Sequence, residues 1–137
     1  MFLLDTNVIS ELRKPRPHGA VVAWAHAYPS SHYHLPSIVI YELQAGTEVI
    51  RKQDEAKAHE IELWIEQILA THQILAFEQH AARQTALLMR SATRDLFEDA
   101  MIAATAIANG LTVATRNTRD FERFAVPLVN PFLFPRG

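Results

Sequence analysis

The 137-residue chain contains no cysteine, and that absence removes disulfides, thiolate metal sites and cysteine nucleophiles together. Any metal ion would have to be held by oxygen or imidazole ligands. No apolar run approaches the roughly 18 residues needed to cross a bilayer, and no basic stretch followed by a long apolar one opens the chain. The expectation is a cytoplasmic protein with no membrane contact. Lysine is scarce, with only Lys14, Lys52 and Lys57 present, which argues against the phosphoacceptor receiver domains, since these need a lysine after the last strands. Glycine-rich phosphate loops, the GxSxG nucleophile elbow and the HExxH zinc motif are all missing. His32 and His34 stand before or at a predicted strand, and His59, His72 and His80 are scattered on polar helix faces. Zinc therefore has little support. Neither sign of charge is in excess, with 13 basic against 15 acidic residues, so net charge gives no argument about nucleic acid.

What is present fits one α/β domain over residues 1–137, because 49% hydrophobic residues suffice for a sizeable core. Short apolar runs alternate with longer helical patterns, the sign of a parallel sheet with crossover helices. The run FLL leads into Asp5 and a helix from about Thr6, which KPRPHG breaks. A second helix spans 18–28, with Val21, Trp24, Ala25 and Tyr28 on one stripe. YHLP (33–36) reads as a strand, Ser37 as the cap of the next helix, and Ile38, Glu42, Ala45 and Val49 as that helix's inner stripe. A long amphipathic helix covers 54–72 and a strand covers 73–77. A further helix spans 78–92, with Ala81, Ala82, Thr85, Leu88 and Met89 facing inward. The sixth helix, 95–110, ends at Gly110. LTVATRN (111–117) is a strand and polar turn, RDFERF a short helix, and VPLVN (126–130) a fifth strand. The apolar residues of the tail NPFLFPRG should dock on the body or on a second copy of the chain.

Ligands of a parallel α/β sheet collect beyond the carboxyl ends of its strands, and several acids fall there. Asp5 is one, either as a helix cap or as a ligand. Glu42 lies on a core-facing stripe, so it must be paired, protonated or metal-bound, unless the helix turns it outward. Asp99 continues the small apolar stripe of Ile102, Ala103, Ala106 and Ile107. Asp95 and Glu98 have the D-x-x-E spacing of a capping box and read as structural. Asp120 is either a cap for a helix beginning at Phe121 or a fourth ligand, beside the polar Thr115 and Asn117. Carboxylates gathered in one pocket would neutralise unless a cation entered. Hard divalent ions, Mg²⁺ or Mn²⁺, meet that need and bind phosphates as well. Ten of the 13 basic residues are arginine, and Arg116 and Arg119 adjoin the last cluster as candidate phosphate contacts.

LLDTNVISEL, YELQAG, EDAMIAATAIANGLTVATRN and RDF, in this order, resemble the PIN domain, and most closely the VapC-type toxins of bacterial toxin–antitoxin pairs in the FitB-like subgroup. The resemblance implies a three-layer α/β/α fold with a parallel sheet of order 3-2-1-4-5. It also implies an Mg²⁺- or Mn²⁺-dependent endoribonuclease with acids at Asp5, Glu42 and Asp99. The family's fourth acid commonly follows Thr-Arg, where this chain has Asn117, so either Asn117 or Asp120 would serve. Thr6 and Thr115 match the hydroxyl positions that orient the acids. A homodimer and a cognate antitoxin are implied too, the antitoxin's C-terminal segment entering the cleft with a basic side chain. Trp24, Tyr41 and Trp64 are the expected apolar lining of such a groove. The alternative is a catalytically weak PIN-like subunit that regulates promoter DNA together with its antitoxin.

Overall fold

A computed structural model describes residues 1–135, so Arg136 and Gly137 of the tail lie outside the described residues. Five parallel strands, β1 (Phe2–Leu4), β2 (Tyr33–Pro36), β3 (Gln73–Leu75), β4 (Thr112–Ala114) and β5 (Leu128–Val129), form one sheet in the order β3-β2-β1-β4-β5. The expected topology is the observed one. Consecutive strand residues are buried, Leu3 with Leu4 and Val113 with Ala114. Both faces of the sheet are therefore covered, as parallel sheets require.

The helices are α1 (Thr6–Arg13), α2 (Gly19–Ala27), α3 (Ser37–Arg51), α4 (Glu55–Thr71), α5 (Gln79–Leu88), α6 (Phe97–Asn109) and α7 (Thr118–Phe121). Apolar spacing predicts Ala58, Ile61, Ile65, Ile68 and Leu69 on the inner stripe of α4; the first four are buried and α4 packs on α3, but Leu69 is 45% exposed. Gly110 ends α6 at φ 64°, a left-handed position where a side chain would be strained.

Several local expectations are corrected. Ser37 is the first residue of α3, not its cap; Pro36 precedes it with no side-chain cap bond. The inner face of α3 is Val39, Leu43 and Thr47, while Val49 is 67% exposed. Ala82 points outward from α5. The helix expected from residue 95 begins at Phe97, after a tight turn over Arg94–Leu96, because Asp95 accepts a bond from the Thr93 hydroxyl instead of capping. Trp24 is only 1% exposed and packs against Phe2, Tyr28 and Tyr33, so it belongs to the core and lines no groove. The tail docks on the body through Phe132, which lies against His18 ahead of α2.

Candidate active site

The chain leaves β1 toward β2 and β3 on one side and returns on the other through β4 and β5. The crevice between β1 and β4 is therefore the point where strand order reverses, the usual ligand position in such sheets. Asp5 follows β1 there and Thr115 follows β4. Main-chain bonds hold both ends in register, the Asp5 N–H donating to Ala114 O at 2.9 Å and the Thr115 N–H to Val129 O at 3.0 Å.

Asp5 is 6% exposed. Its Oδ1 accepts from the Thr6 N–H at 2.7 Å, and its Oδ2 from the Thr115 hydroxyl at 2.8 Å and from Asn7 Nδ2 at 3.2 Å. Cap and cleft residue are thus one and the same. Burial nevertheless holds its pKa above the ordinary carboxylate value, because desolvation outweighs the three donors, and the charge of Asp120 adds to the rise.

Glu42 stands at the edge of the buried face of α3, half-buried, with Oε1 accepting from the Thr6 hydroxyl at 2.9 Å. One residue, Thr6, therefore ties two acids together, its N–H to Asp5 and its hydroxyl to Glu42. The Glu42 pKa is pushed up to about 8, first by burial and then by contact with the Glu98 carboxyl and repulsion from Glu98 and Asp5. Asp99, in the first turn of α6, is pushed up to about 7 by burial and by the charges of Asp5, Asp120, Glu98 and Asp95. A helix N-terminus favours an anion. Here burial and repulsion outweigh it.

Asp120 lies inside α7, its N–H donating to Asn117 O at 3.1 Å, and does not cap a helix from Phe121. Its charge is felt at both Asp5 and Asp99. Asn117 is exposed and its N–H donates to the Thr115 hydroxyl at 3.0 Å. Arg116 and Arg119 are exposed. The Arg116 guanidinium lies 4.5 Å from the Phe132 ring centroid, and among the described residues the ion pairs involve neither arginine.

The same ion pairs leave Asp5, Glu42 and Asp99 without a cationic partner among the described residues. No three His, Asp or Glu side chains close up into a single metal-binding group there either. The acids share an electrostatic neighbourhood and stand open to it. Two members escaped the sequence reading. Glu98, read from its spacing as half of a capping box and therefore as structural, instead lies beside Glu42. Asn7 was visible only as part of the polar DTN run.

Beside Glu42 opens a groove of about 230 Å³ between α1, α3 and α4, lined by Arg13, Gly46, Ile50, Ile61 and Trp64 among others. Arg13 lies 5.8 Å from the Trp64 ring. Tyr41 is 60% exposed but is not part of the lining. A larger apolar hollow of about 420 Å³, between Phe77, Thr85, Met89 and Phe97, contains none of these acids.

Comparison with known proteins agrees with this geometry, since the PIN domain profile matches residues 2–127. The chain belongs to the PIN-domain family. This PIN domain is 36% identical over 137 residues to "VapC ribonuclease Y4jK" of Sinorhizobium fredii, covering 96% of this chain and 98% of that one. It is likewise 36% identical over 138 residues to "Toxin FitB" of Neisseria gonorrhoeae, covering 96% and 99%. The solved structure described as FitAB bound to an IR36 DNA fragment superposes with a TM-score of 0.86 at 32% identity, over 98% of each chain.

Proposed function

We propose that this PIN domain is the toxin of a toxin–antitoxin pair and an endoribonuclease dependent on Mg²⁺ or Mn²⁺. The reading rests on three carboxyl groups, Asp5 after β1, Glu42 on α3 and Asp99 on α6, each raised toward neutrality by burial and by neighbouring acids and in no ion pair among the described residues. Buried anions of this kind are costly unless they are compensated. The all-oxygen donor set suits a hard divalent ion, and the open spacing suits Mg²⁺, which keeps water and phosphate oxygens in its shell. Asp5, Glu42 and Asp99 would hold it, with Asn117 or Asp120 at the fourth position. When bound, the ion supplies Lewis-acid activation of water and stabilises charge developing on the phosphodiester.

The chain's own contribution is orientation. Thr6 and Thr115 donate to the acids and so point the remaining carboxylate lone pairs into the crevice. Arg116 and Arg119 carry the RNA backbone. The ribonuclease and toxin names of the two relatives at 36% identity support the same reading.

The groove beside Glu42 is where we place the C-terminal segment of the antitoxin, its apolar side chains on Ile50, Ile61 and Trp64 and a basic one reaching the acids. The active form would be a homodimer. A second reading, a weakly catalytic subunit acting on promoter DNA with its antitoxin, draws on the DNA-bound FitAB neighbour and on the neutral Asn117.

Incubating the partner-free chain with structured RNAs separates the two. The nuclease reading expects cleavage that needs Mg²⁺ or Mn²⁺, stops in EDTA, and falls at least about a hundredfold in Asp5→Ala and Asp99→Ala. Cleavage equal in the variants would mark a contaminant. Absence of any cutting by the unmodified chain would favour the regulator.

A further inference from the structure

Asn7 is the second residue of α1 and touches three groups from both ends of the chain. Its Nδ2 lies 3.2 Å from Asp5 Oδ2 and 3.4 Å from Thr115 Oγ1, and its Oδ1 accepts the Arg116 N–H at 3.1 Å. The Thr115 hydroxyl gives its one proton to Asp5 at 2.8 Å and receives the Asn117 N–H at 3.0 Å. A hydroxyl has one donor and two acceptor positions, so Asn7 Nδ2 takes the last of them. Turning the amide over would set its carbonyl against the carboxylate and its NH₂ against an N–H. Only one orientation of Asn7 satisfies every partner.

We propose that Asn7 is a positioning residue that locks the 115–117 turn to Asp5, fixing the segment that carries Arg116 and Asn117 before RNA arrives. The role rests on the nuclease reading above. Like the Thr115 hydroxyl, which donates to Asp5 and accepts from Asn117, the Asn7 amide donates to the β1 side of the crevice and accepts from the β4 side. Aspartate of equal size lacks the donor, and alanine lacks both. On its far side the turn is held by Arg116 over Phe132, 4.5 Å from the ring centroid, so the peptide between Thr115 and Asn117 is fixed at both edges. Fixing it in advance removes an ordering cost from the reacting complex. Residues that orient ligating groups in this way typically contribute 10–100-fold.

The test compares the unmodified chain with Asn7→Ala and the near-isosteric Asn7→Asp. It follows kcat and KM on one oligoribonucleotide with Mn²⁺ and, separately, amide hydrogen exchange at Arg116 without metal or RNA. Asn7→Ala should lower kcat by about 10–100-fold with KM within about threefold, and speed Arg116 exchange at least about tenfold as the N–H loses its acceptor. Asn7→Asp should keep the Arg116 amide protected and still lose kcat, since the acceptor survives and the donor does not. Unchanged Arg116 exchange in Asn7→Ala, or kcat within twofold of the unmodified chain in both variants, would overturn the proposal. If the unmodified chain cut no RNA, the nuclease reading would fail, and the exchange of Arg116 would still decide whether the lock exists.

Discussion

Three raised carboxyl groups make the stability of the free protein depend on pH in an unusual direction. Glu42 moves from an ordinary 4.5 to about 8, and Asp99 from 3.8 to about 7. Between those limits the folded state holds protons that the unfolded chain has released, so stability falls as pH rises through the window. It is fully present below about pH 4 and lost above about pH 8. A wholly buried group shifted this far would account for about 4–5 kcal/mol. Both side chains are only half-buried, and solvent screening reduces this to about 1–2 kcal/mol each. Together they should lower Tm by roughly 6–15 °C between pH 5 and pH 9 for a domain of this size.

Urea or thermal unfolding in EDTA across that range measures the effect. Mn²⁺ at about a hundred times its Kd should return about 2.7 kcal/mol at high pH and little at pH 5, where the acids are neutral. Glu42→Gln and Asp99→Asn, which never charge, should each be more stable than the unmodified chain at pH 9 and equal to it near pH 4. Stability in EDTA that stays flat or rises from pH 5 to pH 9 would refute crowding of the acids, and with it the case for a divalent ion.

Adding an acid at the proposed fourth position, Asn117→Asp should tighten Mn²⁺ binding by calorimetry and preserve or raise cleavage, whereas an unchanged metal affinity after Asp120→Ala would leave Asp120 a purely structural residue. Gly46 sits inside α3 with nothing within 4 Å of where a Cβ would stand, so Gly46→Ala should stabilise the fold by about 0.5–1 kcal/mol in chemical denaturation. Gly46→Leu should fill the neighbouring groove and weaken antitoxin binding at least about tenfold, and equal affinity would place the antitoxin elsewhere. Arg116→Ala should flatten the logarithmic salt dependence of single-stranded RNA binding by about 0.7. An unchanged slope would take Arg116 off the RNA path.

Local pattern determined the alternation of strands and helices and the chain positions of Asp5, Glu42 and Asp99, and the sheet order followed from the resemblance to the PIN domain, because apolar periodicity and motifs are both written in consecutive residues. Helix starts were less legible. The D-x-x-E spacing at Asp95 and Glu98 is a valid cap on paper, but Thr93 takes Asp95, the helix begins later, and Glu98 lies beside Glu42. Burial of Trp24 and exposure of Val49 likewise follow from which neighbours cover each helix face. Asn7 shows the limit most clearly, since its amide joins residues 108 and 109 positions away. Sequence spacing sets which side chains lie along one element, but only the pairing of β1 with β4 brings those two loops within hydrogen-bonding distance, and pKa values raised by burial and mutual repulsion exist only in the folded chain.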